Sequence, residues 1–193
     1  MANLWPFRYW FAKPGPAAQH GAPVRPDPVN PDRVHIAPAE DSDFQWLLSN
    51  GRVQSRRGFS LAPGGLETPR TLSALRALNA KVRDADNPGA WLILLDQEVA
   101  GLCSYKMAPR DTGEIEIGYG IAASRHGRGI GRAAIALMLA RSQEDPRIHT
   151  LTAQTALHNA PSQRLLMRLG FTSCGYGYQP GDGPLRLWRL KLR

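Results

Sequence analysis

Apolar positions change period along this chain of 193 residues. Val34 and Ile36 alternate with His35 and Ala37, which predicts a short strand. Asp41 or Ser42 caps a helix that runs through Leu48, and Leu72, Leu75, Leu78 and Val82 recur at helical spacing. Between them, residues 50–70 are rich in Gly, Arg, Ser and Pro and read as a long loop. The period then drops to two. Residues 91–95 form a continuous apolar run, 96–98 a tight turn, and 99–107 a second strand. After a turn at 109–113, residues 114–121 alternate: Ile115, Ile117, Tyr119 and Ile121 face one way, Glu114 and Glu116 the other. Three strands joined by short turns make an antiparallel meander, because parallel neighbours need long crossovers.

Helical spacing returns at 129–143, with Ile130, Ala133, Ala134, Leu137 and Met138 on one face, and Pro146 stops it. Residues 150–157 form a strand. Asn159 caps a helix that opens with Pro161 and closes at Gly170. Residues 171–179 and 185–192 read as a final pair of strands, giving the order β-α-α-β-β-β-α-β-α-β-β. Before this domain of residues 33–193 lies a segment, 1–32, broken by Pro, Gly and Asp every few residues from Pro14 to Pro31. Helices and ladders cannot propagate there, so it is expected to be a flexible, extended tail. Its aromatics (Trp5, Phe7, Tyr9, Trp10, Phe11) are available to dock on the domain, on another subunit or on a membrane surface.

Composition narrows the partners. Hydrophobic residues are 42% and charged residues 21%, ordinary for a globular domain. No run approaches the roughly 20 apolar residues of a membrane span. Two cysteines, Cys103 and Cys174, are too few for a disulfide framework, and they read as buried thiols in a reducing compartment, the cytoplasm. The five histidines show no metal-ligand spacing, so no metal is expected. Net charge is +8, which favours anionic ligands. The charge is spread along the chain, which argues against a nucleic-acid tail.

The chemistry concentrates after Ile121, where a strand ends in a loop of Arg and Gly and a helix begins. Helix-start N–H groups point outward with roughly half a positive charge between them. Glycines let the backbone approach a phosphate and form a nest of donors. Gly127, Gly129 and Gly131 alternate here with Arg128, Ile130 and Arg132. Cations at a helix start are unfavourable by about 0.3–1 kcal/mol, so these arginines are best explained by a bound anion, although the same helix also ends on the wrong sign, Glu144-Asp145. Gly129-x-Gly131-x-x-Ala134 fits a dinucleotide fingerprint in isolation. That site also needs an acid after the next strand, where Leu157-His158-Asn159 has none, and it needs a βαβ unit rather than a meander.

With these motifs in place, the sequence resembles the GNAT superfamily of acyl-CoA N-acyltransferases, most strongly over residues 114–171. The superfamily motif Q/R-x-x-G-x-G/A is matched by His126-Gly127-Arg128-Gly129-Ile130-Gly131, with His in place of Gln or Arg. Asn159, Ser162 and Leu169-Gly170-Phe171 match its later pattern. Glu-Ile-Gly-Tyr before the loop looks most like the branch that acetylates N-termini of ribosomal proteins, some of whose members modify small amines. The resemblance implies a mixed α/β GNAT fold with a mostly antiparallel twisted sheet of six to seven strands and about four helices. It implies acetyl-CoA as co-substrate, with its pyrophosphate on His126, Gly127, Arg128, Gly129, Ile130, Gly131 and Arg132. Ile121 and Ala122 would pair with the pantetheine arm, and Asn159 would contact it from the far side.

Acyl transfer needs a neutral amine. At pH 7 this costs a lysine roughly 4–5 kcal/mol and an α-amine about 1. Glu116 is the expected base, with Glu114 its rival. Many relatives carry a Tyr acid four residues before the Gly of L-G-F. Leu166 stands there, so Ser162 or water is expected to protonate the leaving thiolate. The expected activity is acetyl transfer to a protein N-terminal α-amine or a small-molecule amine by direct attack in a ternary complex. The alternative is a catalytically weak CoA-binding or nucleic-acid-binding module on the same fold. The acceptor is expected to meet residues 44–85 and 176–184, with Arg52, Arg56 and Arg57 drawing an acidic one. A homodimer remains open.

Overall fold

The computed structural model describes residues 26–83, 87–108, 111–180 and 183–192. Tail residues Trp5, Phe7, Tyr9, Trp10 and Phe11 lie outside them, as do parts of the 44–85 and 176–184 segments expected to meet the acceptor. The described residues form eight strands and four α-helices: β1 Val34–Pro38, α1 Asp41–Leu48, β2 Ser60–Leu61, α2 Pro69–Val82, β3 Ala90–Leu95, β4 Glu98–Tyr105, β5 Glu114–Ile121, α3 Ile130–Glu144, β6 Thr150–Ala156, α4 Ala160–Arg168, β7 Thr172–Gln179 and β8 Gly183–Lys191. The sheet runs β1-β3-β4-β5-β6-β8-β7, with β2 paired to β4. It is the mixed, mostly antiparallel architecture expected from the sequence.

The meander β3-β4-β5 forms because short turns hold it together. Asp96 adopts a left-handed φ of 54° in the first turn. All six β3 residues are buried, which explains why that run lacks alternation. β5 and β6 are the parallel neighbours, because α3 supplies the crossover between them.

Four local features differ from the periodic reading. The N-cap of α1 is Glu40, whose N–H donates to Asp43 Oδ2 at 2.9 Å, because Asp43 sits where it can reach back over the first turn. The 50–70 loop contains β2, a two-residue parallel pairing of Ser60 and Leu61 with Glu98 and Val99. On α3 the buried stripe is Ile130, Ala134, Ile135 and Met138. Leu137 is 39% exposed, because the helix turns its Ile135 flank onto the sheet. Finally, β8 rather than β7 docks on β6.

Burial assigns the two sheet faces. Ile115, Ile117 and Leu151 belong to the core face, where Tyr105 Oη meets Ser142 Oγ of α3 at 2.7 Å. Glu114, Glu116, Thr152 and Gln154 belong to the other. Residues 26–30, within the segment read as a tail, lie against the domain: Val29 N–H donates to Arg128 O at 2.9 Å.

Candidate active site

A gap in the sheet organises the site. β5 and β6 pair only over Glu114–Thr150, Ile115–Leu151 and Glu116–Thr152. Beyond Glu116 the strands part, β5 staying on β4 and β6 on β8. Ala122 N–H donates to Ala100 O and Lys106 N–H to Glu116 O, so even-numbered peptide groups turn to β4. Antiparallel pairing alternates, so the groups of Tyr119 and Ile121 turn into the gap.

On one side, the gap opens into a cleft of about 450 Å³ between the α3 start and α4, lined by Tyr119–Ile121, the Gly loop and α4. Gly127 and Gly129 adopt φ of 76° and 84°, which side-chain-bearing residues rarely tolerate. Amides from Gly127 through Arg132 donate to no backbone acceptor among the described residues, and neither Arg128 nor Arg132 has a carboxylate partner there. A concave row of unpaired N–H groups at a helix start fits a pyrophosphate. His126 Nε2 lies 2.8 Å from Ile121 O, where it must carry the proton, so the histidine ties the loop to the strand end. Arg125 is held bidentately by Glu98, at 2.7 Å for each contact, and anchors the loop to β4.

α4 supplies the facing wall. Asn159 Oδ1 accepts the Ser162 N–H at 3.2 Å, the expected cap. Its Nδ2 is buried without a partner, a donor suited to an amide carbonyl of the pantetheine arm. Ser162 and Tyr119 line a small cavity of about 10 Å³ together with Lys106, Ala153 and Gln154. Tyr119 Oη is buried and falls short of hydrogen-bond geometry to any protein group, Ser162 included. Burial pushes its hydroxyl up to about 12, with Ser162 opposing weakly, so it stays protonated. Leu166, where relatives carry Tyr, is fully buried in the core and does not line this cavity.

A second cleft, of about 400 Å³, lies on the opposite sheet face and shares Ala153 and Gln154 with this cavity. Glu116, Glu114, Arg189 and Cys174 line it. Glu116 Oε1 contacts Lys106 Nζ at 2.5 Å, and Glu116 Oε2 receives Gln154 Nε2 at 3.4 Å. Glu114 pairs with Arg189 at 2.7 Å. Each carboxylate therefore has one cation.

The structure brings together Ile121, His126, Gly127, Gly129, Ile130, Gly131, Arg132, Asn159 and Ser162 in the first cleft, and places Glu116 in the second. Two expected ligands fall outside the first cleft. Ala122 is fully buried, with its N–H on Ala100 O and its carbonyl accepting the Arg125 N–H, and it does not line the cleft. Arg128 turns its carbonyl to Val29 and does not line the cleft. Cys103 is buried, but Cys174 is exposed, because it sits in the irregular register of β7. Arg57 is spent on Asp43 at 3.0 Å and on Pro38 O. Sequence reasoning missed Tyr119, His158, Arg164 and Arg168 in the cleft wall. The two arginines, one turn apart on α4, form a basic stripe that was there to find.

A family model of the acetyltransferase (GNAT) domain matches residues 33–172. Among solved structures, RimJ from Mycobacterium smegmatis in complex with CoA-disulfide aligns at 21% identity and TM-score 0.61, over 82% of this chain and 81% of that one. RimL, a ribosomal L7/L12 α-N-protein acetyltransferase in complex with coenzyme A, aligns at 18% and 0.61, over 82% and 93%. A spermidine N-acetyltransferase SpeG chimera from Vibrio cholerae and hSSAT aligns at 15% and 0.61, over 83% and 96%. No curated protein matches in sequence. No helix among the described residues is long and apolar enough to cross a membrane, and none of their His, Cys, Asp and Glu side chains cluster to hold a metal ion.

Proposed function

The chain belongs to the GNAT acetyltransferase family and is an acyl-CoA-dependent N-acetyltransferase, and we propose that it acetylates a single primary amine, a protein N-terminal α-amine or a small-molecule amine, within a ternary complex in the cytoplasm. The gap between β5 and β6 carries this reading: a cleft of unpaired amides and a cleft containing Glu116 flank one small cavity lined by Tyr119 and Ser162. Acetyl-CoA supplies the thioester. The loop 127–132 holds its pyrophosphate, Arg164 and Arg168 add positive charge to the same cleft, and the Tyr119–Ile121 edge with Asn159 Nδ2 directs the arm to the gap between β5 and β6. Glu116 Oε2, directly or through water, takes the amine's proton, while Lys106 holds Oε1. Ser162 and Tyr119 present hydroxyls where the leaving sulfur arrives.

Charge argues for the acceptor class. Among the described residues the second cleft balances Glu114 with Arg189 and Glu116 with Lys106, and these offer no surplus negative charge to a polyamine. Its base is already ion-paired, which suits an amine that is neutral near pH 7–8, as an α-amine is. An exposed free thiol at Cys174 suits a reducing compartment.

The test is thiol release from acetyl-CoA with a panel of free-N-terminus peptides, the same peptides N-formylated, small amines and spermidine. Release is expected with free α-amines and not with blocked ones. Preference for spermidine would overturn the acceptor reading. The Lys106–Glu116 pair also favours a second reading, a CoA-binding module without turnover, and binding of CoA with no release from any amine would establish it.

A further inference from the structure

We infer that residues 26–30, before β1, are part of the donor site, and that the Val29 amide sets the direction of the Gly129 N–H used by the pyrophosphate. The inference rests on reading the loop 127–132 as the pyrophosphate site. Val29 N–H donates to Arg128 O at 2.9 Å. Among the described residues no peptide is cis, and across a trans peptide the carbonyl of Arg128 and the N–H of Gly129 point in opposite directions. Holding the carbonyl outward therefore holds that N–H inward. The described residues of that segment, 26–33, contribute nothing to the cleft lining, so they lie on the outer side of the loop, and the Gly129 N–H faces the cleft, which Gly129 does line.

Two more observations place the segment as a buttress. A Cβ on Gly127 would lie 3.3 Å from Pro26 Cγ, so the proline ring closes over the loop where glycine leaves room. Val29 is also partly buried against the core, which anchors the donor independently of the loop. A row of glycines on its own is free to rotate its peptide planes. With Val29 in place, the plane between Arg128 and Gly129 is set before the ligand arrives, and an oriented donor loses less freedom on binding.

The experiment compares full-length wild type, Val29→Pro, which lacks the N–H, and Val29→Ala, which keeps it. CoA binding is measured by calorimetry, and acetyl-CoA is compared kinetically with S-acetylpantetheine, which has no pyrophosphate. Val29→Pro is expected to weaken CoA about tenfold, as for loss of a hydrogen bond to a charged group. It should raise KM for acetyl-CoA without changing the acceptor's KM or the use of S-acetylpantetheine, while Val29→Ala stays within about twofold of wild type. Equal CoA affinity in wild type and Val29→Pro overturns the inference, as does equal weakening by both variants or a parallel loss with S-acetylpantetheine. Should Val29→Pro fail to fold, deletion of residues 2–29 is read the same way. The pyrophosphate reading itself stands or falls on CoA binding by wild type, so the two failures are distinguishable.

Discussion

At the residue scale, Tyr119 and Gly131 show how differently two site residues announce themselves. Gly131 stands in a local motif, and its role follows from spacing. A Cβ there would lie 3.1 Å from Leu165 Cδ1 and 3.4 Å from Ile121 Cγ1, so a larger side chain has to grow into the cleft or push its walls apart. Gly131→Leu is expected to abolish CoA binding by calorimetry while circular dichroism shows the fold retained. Tyr119 reads in the sequence as one more apolar-face residue of β5. Only the structure sets its buried, unpartnered hydroxyl against Ser162 of α4. Tyr119→Phe is expected to lower kcat about a hundredfold, as for loss of one aligned donor, with CoA affinity unchanged. Steady-state kinetics beside calorimetry separates the two. Asn159 was legible as a cap, because capping involves neighbours in the chain; that its Nδ2 is left unpaired and lines the cleft was not.

At the element scale, α3 answers why a helix should carry the wrong charge at both ends. Arg132 in its first turn has no carboxylate partner among the described residues and lines the donor cleft. Asp145 at its end accepts the Arg147 N–H and guanidinium, at 2.9 and 2.7 Å, and so serves the following turn rather than the helix dipole. The start requires glycine, since Gly129 caps the helix at φ 84°. Nothing lies within 4 Å of a Cβ built there, so Gly129→Ala isolates backbone strain from crowding. It is expected to lower stability by about 1–2 kcal/mol in urea unfolding. The α3 stripe was misread because Ile135 and Leu137 both border the apolar arc. Helical spacing cannot choose between the two flanks; the tilt of the helix on β1 and β5 does.

At the scale of the whole molecule, pH couples to stability through Glu67. Burial pushes its carboxyl up to about 7 from an ordinary 4.5, with a hydrogen bond at Thr68 opposing. The folded state therefore holds this proton more tightly than the unfolded chain does. That contribution is full below pH 4.5 and is lost as pH rises through 7. Glu67→Gln is expected to be more stable than wild type at pH 8, with the difference vanishing near pH 4.5, as read from Tm across that range. What the sequence determined by itself is the inventory: the period of each element, the meander, the Gly-Arg turn, the Asn159 cap and the acyl-CoA donor they imply. These depend on neighbours within a turn or a hairpin, where spacing and backbone chemistry act directly. What only the tertiary structure decided is juxtaposition. Docking of β8 on β6, the parting of β5 from β6, the small cavity that sets Tyr119 against Ser162, and the seat of Val29 on Arg128 all bring together distant parts of the chain. Which partner wins there depends on packing across the sheet, and no local pattern encodes it.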